Sequence, residues 1–287
     1  MRTESTRQPP HRFVGIIGHP LGHTLSPVFQ QAAFDHLGIA ATYRAYDLPP
    51  EDVPSFVAAL RDPAWLGVNV TVPHKERVRP LLDREADTAK AVGAVNTIVN
   101  DGGRLVGHNT DVAGFRDALA EAGFSARGAR VVVLGAGGAA RAVVYALRAE
   151  GAAEIVVANR SVARAERLLA ELAPEGVALP LDAAALAPAL ARCDLLVNCT
   201  AVGLKPGESP LPDERVPRQA LVYDLIYNPP QTRLLAAAAA RGARTLGGLS
   251  MLVGQGAAAF TLWTGQPAPR AVMQRAADEG LARLRQG

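Results

Sequence analysis

Lys75 is the first residue in this chain placed to do chemistry. It stands in "GVNVTVPHKE", residues 67–76. Val68, Val70 and Val72 alternate with polar residues, the period of a half-buried strand. Pro73 ends that strand, because proline has no N–H to give to a ladder. A lysine just past a core strand can be a solvated loop charge. It can also be a general acid or base, since active sites of α/β sheets sit at strand ends. Three more polar clusters interrupt apolar patterns: "GHPLGHTLSP" (18–27), "GAVNT" (93–97) and "GHNTDVAGF" (107–115). Each follows or ends an expected strand. Singly, each could be turn and cap chemistry. Gathered at one sheet edge, their hydroxyls, amides, lysine and aspartate would recognise a polyhydroxylated, anionic small molecule.

A second constellation is "VVVLGAGGAARAVVYAL", residues 131–147. Gly135, Gly137 and Ala140 fit G-x-G-x-x-A, between a strand and a helix as the dinucleotide fingerprint requires. The glycines let backbone approach a pyrophosphate, and the helix N-terminus offers N–H groups and positive potential. The competing reading is a tight strand–helix turn. The next strand ends in "VVANRSVARA" (156–165). An NAD site places Asp or Glu there for the ribose 2′-hydroxyl. This chain has Asn159, Arg160 and Ser161, with Arg164 one turn on. Two guanidiniums without a carboxylate suit a 2′-phosphate, and so NADP rather than NAD. Otherwise they are two exposed helix arginines.

The elements that must hold these groups follow from periodicity. Strands are expected at 12–18, 41–48 and 67–72, with a hairpin over 93–111 turning at "NDGG". Helices are expected at 26–38, with Ser26 as N-cap and Pro27 at the first helical position, and at 50–62. This alternation predicts a mostly parallel sheet in the first hundred residues. A helix at 111–124 leads to the continuous apolar strand 131–135 of a covered parallel sheet. Helix 137–150, strand 154–158, helix 161–173 and strands 194–199 and 221–225 continue the series. The alanine- and proline-biased stretch 173–191 reads as loop and helix. Two last helices, 250–265 and one after residue 269, come after the second sheet is complete, and are expected to cross back to the first domain.

The 287 residues exceed what one core usually holds, so two domains are expected. Apolar content of 49% with 20% charged residues is that of a globular chain, and 5% aromatics favours packed helices over an all-β fold. The net charge is +3, with no basic stripe carrying aromatics, so no nucleic-acid partner is expected. Cys193 and Cys199 match no zinc or redox spacing. They read as reduced core thiols, which points to a reducing compartment. "MRTESTRQPPHR" lacks the apolar stretch of a signal peptide and reads as a short disordered tail. No apolar run approaches the roughly 18 residues of a membrane helix. The expected location is cytoplasmic, with no membrane partner.

The chain resembles the shikimate dehydrogenases. The resemblance is carried, in order, by "GHPLGHTLSP", "NVTVPHKE", "GAVNT", "NTDVAGF", "GAGGAAR", "NRSVARA", "DLIYNPPQT" and "GGLSMLVGQGAAAF". It implies a two-domain α/β fold: a substrate domain at 1–111, with helices of 251–287 packing back onto it, and a Rossmann-type NADP-binding domain at 112–250. It implies reduction of 3-dehydroshikimate to shikimate with NADPH, in aromatic amino-acid biosynthesis, in a cleft between the domains. By motif position, Lys75 and Asp111 would be the catalytic pair. Thr24, Ser26, Thr71, Asn96, Asn109, Tyr227 and Gln255 would join them in binding substrate. Gly135, Ala136, Gly137, Gly138, Ala139, Asn159, Arg160, Ser161, Arg164, Thr200, Leu225 and Gly248 would hold the cofactor. The only partner expected is the small-molecule substrate, for a monomer or homodimer.

Thr24 departs from the family, which has serine there; its extra methyl could shift preference toward quinate. Ser250, where the family often has glycine, is assigned no consequence. His19, His23, His74 and His108 read as rim or packing residues, and no metal site is expected. Two other readings stay open: a quinate/shikimate dehydrogenase of looser substrate or cofactor choice, and a non-catalytic NADP-binding sensor. Hinge connections are expected near 111–125 and 245–255.

Overall fold

A computed structural model describes residues 10–22 and 24–284. Most of the expected N-terminal tail, residues 1–9, and His23 lie outside the described residues. The elements run β1 (Arg12–Gly18), α1 (Ser26–His36), β2 (Ala41–Asp47), α2 (Val53–Ala59), β3 (Trp65–Val70), β4 (Arg84–Glu85), α3 (Asp87–Val92), β5 (Thr97–Asp101) and β6 (Arg104–His108). Then come α4 (Asp111–Glu121), β7 (Arg130–Leu134), α5 (Gly138–Ala149), β8 (Glu154–Asn159), α6 (Val162–Leu172), β9 (Val177–Pro180) and α7 (Ala183–Leu190). β10 (Leu195–Asn198), β11 (Leu221–Asp224), α8 (Arg233–Ala240), β12 (Arg244–Gly247), α9 (Leu249–Thr264) and α10 (Arg270–Leu284) complete the chain. Two units divide it. The first holds the described residues up to Ala86, Val95–His108 and those from Ala259 on; the second holds Asp87–Ala94 and Asn109–Ala258.

The first unit's sheet has the order β2-β1-β3-β5-β6-β4. β1 pairs parallel with β2 and β3, while β3–β5 and β5–β6 are antiparallel. The sheet is therefore mixed, and the hairpin is the cause. Gly102 and Gly103 have φ of +60° and +90°, the positive values a two-residue turn needs to match strand twist. Asn100 Oδ1 closes the turn by accepting from Gly103 N–H at 2.7 Å. Ser26 is not the N-cap of α1. Leu25 holds that position, Ser26 is the first helical residue, and Ser26 N–H donates to Thr24 Oγ1 at 3.2 Å. The Ser26 side chain is 1% exposed and turned toward Tyr43 instead, as described below.

The second unit's sheet is entirely parallel, in the order β12-β11-β10-β7-β8-β9. Its central strand is apolar from Val131 to Leu134 because both faces are covered there. Val131 and Val133 pack with Phe115, Val143, Leu147 and Leu168 from α4, α5 and α6. Val132 and Leu134 pack on the other face with Leu186, Leu190, Leu234 and Leu235 from α7 and α8. The 173–191 stretch contains a strand, β9, besides helix α7. β9 is a partly exposed edge strand ending in proline, so it lacks the apolar alternation that marks a core strand.

Candidate functional site

Strand direction decides which residues meet in the first unit. β1 and β3 run parallel and end side by side, with Thr71 N–H donating to Ile17 O at 2.8 Å and His19 N–H to Val72 O at 3.0 Å. β5 runs the opposite way, so its start lies beside the end of β3, where Val70 N–H donates to Asn96 O at 2.7 Å. β6 reverses again, and Asn96 N–H donates to His108 O at 3.1 Å. The polar clusters at 18–27, 67–76 and 93–97 thus share one sheet edge with the end of β6. Lys75 lies in the turn after β3, half-buried. Its carbonyl accepts from Val95 N–H at 2.8 Å, which ties the lysine backbone to the segment carrying Asn96. Thr24 and Thr71 are half-buried, and Asn96 is buried.

A buried polar chain underlies this edge, and reading the sequence missed it. The Tyr43 hydroxyl donates to Asn69 Oδ1 at 2.8 Å, and Asn69 Nδ2 donates to Thr97 Oγ1 at 3.0 Å. Thr97 Oγ1 then donates to Asn96 Oδ1 at 3.2 Å. Ser26 hydrogen-bonds the Tyr43 hydroxyl, whose pKa burial pushes well above its ordinary value while that hydrogen bond lowers it. Two expected substrate residues, Ser26 and Asn96, are therefore oriented from beneath. The signal was Asn69, an amide in the middle of "VNV", since buried amides persist only when satisfied. Of the histidines, His19 meets Asp47 at 2.9 Å on the surface. His74 is buried, with Nε2 2.8 Å from Leu48 O. His108 is half-buried, and burial, aided by the charge of Arg84, lowers its pKa.

In the second unit, the expected cofactor residues follow successive strands along one edge. Gly135 follows β7, Asn159 ends β8, Thr200 lies past β10, Leu225 follows β11 and Gly248 follows β12. Strand order reverses between β7 and β10, the switch point at which doubly wound sheets bind nucleotides. Gly135 has φ +104°, and a Cβ there would lie 3.1 Å from Thr200 Cγ2. Gly137 faces open space, with nothing within 4 Å of where its Cβ would be. Ala140 is fully buried. These are the three roles of the fingerprint: a turn, a backbone a ligand can approach, and close helix packing. Arg160, Ser161 and Arg164 are exposed, and among the described residues no carboxylate engages either arginine. Asn159 Nδ2 donates to Ser161 O at 2.9 Å, shaping that turn. The residues present thus fit a pyrophosphate and a 2′-phosphate.

Two polar strand ends support this edge, and they too went unread. Asn198 Oδ1 accepts from Thr200 Oγ1 at 2.7 Å, and its Nδ2 donates to Asp224 Oδ1 at 3.0 Å. Asp224 is fully buried and also accepts from Thr232 Oγ1 at 2.7 Å and Ile226 N–H at 3.1 Å. Burial raises its pKa, and those three hydrogen bonds oppose the rise. Arg141, just past the glycine loop, donates from Nε to Val92 O at 2.5 Å and pairs with Glu171.

The remaining expected substrate residues also lie in the second unit. Asn109 Nδ2 donates to Ala94 O at 2.9 Å, while its Oδ1 accepts from Val112 N–H at 3.3 Å at the start of α4. Asp111 is the first residue of α4 and is buried. Gln255 is buried on α9, and α4 meets α9 at Gly114, where a Cβ would come within 2.6 Å of Gln255 N. The missing side chain thereby brings Asp111 and Gln255 onto adjoining helices. Tyr227 is half-buried in the loop after β11.

Family models match three stretches: "Shikimate dehydrogenase substrate binding domain" at residues 16–98, "Shikimate / quinate 5-dehydrogenase" at 118–204 and "Shikimate 5'-dehydrogenase C-terminal domain" at 248–277. A shikimate dehydrogenase (NADP(+)) of Moorella thermoacetica is 46% identical over 93% of this chain and 93% of its own length. The chain belongs to the shikimate dehydrogenase family. A second relative, a shikimate dehydrogenase (NADP(+)) of Methanopyrus kandleri, is 48% identical over 93% of this chain and 95% of its own. The fold is similar to a crystal structure of shikimate 5-dehydrogenase from Thermus thermophilus in complex with NADP(H) and shikimate. The TM-score is 0.86 with 42% identity, covering 94% of this chain and 100% of that one. The stretches matched by the family models include Lys75, the Gly135 loop, Arg160 and Gln255. Asn109, Asp111, Leu225 and Tyr227 fall between them.

Proposed function

We infer that this chain is an NADP-dependent shikimate dehydrogenase, an oxidoreductase interconverting 3-dehydroshikimate and shikimate on the route to chorismate and the aromatic amino acids. The observation that carries the reading is the gathering of hydroxyl, amide and lysine groups on the first sheet's edge, in a chain of this family. Gly135 to Ala139 would cradle the cofactor's pyrophosphate, and Arg160 and Arg164, with Asn159 and Ser161, its 2′-phosphate. Thr200, Leu225 and Gly248 would continue that cradle along the strand ends. When bound, NADPH supplies the hydride. The protein's own task is the oxygen. Negative charge develops on the ketone oxygen as it is reduced, and an ammonium there stabilises the charge and delivers a proton. Lys75 is that group in this proposal, with Asp111 as second member of the catalytic pair. In the reverse direction Lys75 accepts the hydroxyl proton.

Substrate would be held by Thr24, Ser26, Thr71, Asn96, Asn109, Tyr227 and Gln255. Thr24 supports this despite its methyl group. Its oxygen accepts from Ser26 N–H, which leaves the hydroxyl proton to donate to a carboxylate, as a serine would. The methyl group is also the one feature that favours a second reading, broader use of quinate. Among the described residues no helix is long and apolar enough to cross a membrane, and we propose a cytoplasmic enzyme.

The test is initial-rate oxidation of shikimate with NADP, followed by NADPH absorbance, with quinate and NAD in parallel. Turnover confined to shikimate and NADP is expected. Comparable rates on quinate would move the protein to the broader subclass. NADP binding without turnover on either acid would favour a sensor.

A further inference from the structure

The second sheet has another edge, where β7, β10 and β11 begin. A cleft of about 610 Å³ opens there, within the roughly 300–1,000 Å³ of sites that take small molecules. It is lined by Arg130, Arg192, Arg215, Arg218 and Arg241, against the carboxylates of Asp194 and Glu214. Five cations face two anions of the lining, and Glu154 beside it answers Arg192, which leaves an excess of two.

The arginines divide by what they do. Arg130 forks onto Asp194, with Nε 3.0 Å from Oδ2 and Nη2 2.9 Å from Oδ1. Arg192 pairs with Glu154. These two hold the strand starts together, and their charge is answered within the protein. Arg241 donates only its Nε, to Val216 O at 2.7 Å, which leaves its terminal nitrogens to other acceptors. Arg215 and Arg218 are exposed, and among the described residues no carboxylate engages them. Three guanidiniums with open donors on one cleft have no structural use for that charge. A guanidinium's planar fork matches phosphate oxygens, and its weak hydration makes such pairing favourable in a recess.

We propose that this cleft binds a small phosphate-bearing anion through Arg215, Arg218 and Arg241, at a site separate from the cofactor edge. The two edges lie at opposite ends of the same strands, so both sites can be filled at once.

The experiment is a calorimetric titration of inorganic pyrophosphate into the full-length protein already saturated with NADP, at ionic strength held constant with chloride. NADP saturation blocks the glycine loop, which could itself take pyrophosphate. One binding site is expected. The Arg215→Ala/Arg218→Ala variant should weaken it by about tenfold or more, the loss of two charge-assisted contacts. An Arg275→Ala/Arg283→Ala variant, which removes the same charge from exposed positions on α10, should leave it unchanged. No heat beyond dilution, equal weakening in both variants, or full affinity in the first would each overturn the proposal. Shikimate oxidation by the Arg215→Ala/Arg218→Ala variant should match the parent, so the outcome stands apart from the enzymatic reading.

Discussion

Backbone hydrogen bonds hold the turn in which Lys75 stands. The turn that carries it is closed by His74 N–H donating to Thr71 O at 2.9 Å, and Val95 N–H holds its carbonyl. Removing the ammonium should therefore leave the turn intact. Lys75→Ala is expected to lower turnover of shikimate by about 10²–10⁴, the usual worth of a positioned acid–base group. NADP affinity, read by NADPH fluorescence, should stay at the parent value because the glycine loop is untouched. A variant that keeps near-normal turnover would rule the role out. The thiols make the opposite case. Burial pushes the Cys193 thiol up to about 12 and raises Cys199 as well, so neither is a thiolate at neutral pH.

At the level of elements, function rests on where strands end and what the next residue permits. Gly135 leaves β7 at φ +104°, a conformation side chains rarely adopt. It does so against Thr200, which Asn198 holds in place. Gly135→Ala would put a methyl group 3.1 Å from Thr200 Cγ2 and strain the turn by roughly 1–3 kcal/mol. We expect NADP affinity to fall by about tenfold, while turnover at saturating NADP changes less. Unaltered affinity in a fluorescence titration would show that the loop does not cradle the pyrophosphate. The hairpin is the matching device in the first unit. Without two positive-φ glycines at its tip, β6 would not return His108 to the edge where β3 ends and β5 begins.

Stability of the whole molecule carries a pH signature through His108. Burial, and secondarily the charge of Arg84, depress its pKa below the ordinary value near 6.5. The folded state therefore favours the neutral ring. Above about pH 6.5 both states are neutral and the contribution is complete. As pH falls below that value the unfolded chain takes up the proton first, so stability is lost. Urea unfolding of the parent should show a larger drop in midpoint between pH 7 and pH 5.5 than unfolding of His108→Gln. Parallel curves for the two proteins would contradict the assignment.

Much of this protein was legible in the chain alone, for a local reason. Strand period, the glycine loop, the missing acid after β8 and the "NDGG" turn are encoded within a few residues, because each reflects what one backbone segment can adopt. The two-domain α/β architecture followed from those signals, and family resemblance named the chemistry they serve. What local signals do not carry is pairing between distant strands. Whether the polar clusters share an edge depends on the order β2-β1-β3-β5-β6-β4 and on the reversal at β5. Period and propensity leave both open. For the same reason the supporting groups Tyr43, Asn69, Asn198 and Asp224 were invisible as a set. Each is an ordinary polar residue in its own segment and acquires a role only when burial forces it to find a partner from another strand. The arginine cleft is of this kind too. Its residues are scattered from 130 to 241, and only the alignment of strand starts in the folded sheet concentrates their charge.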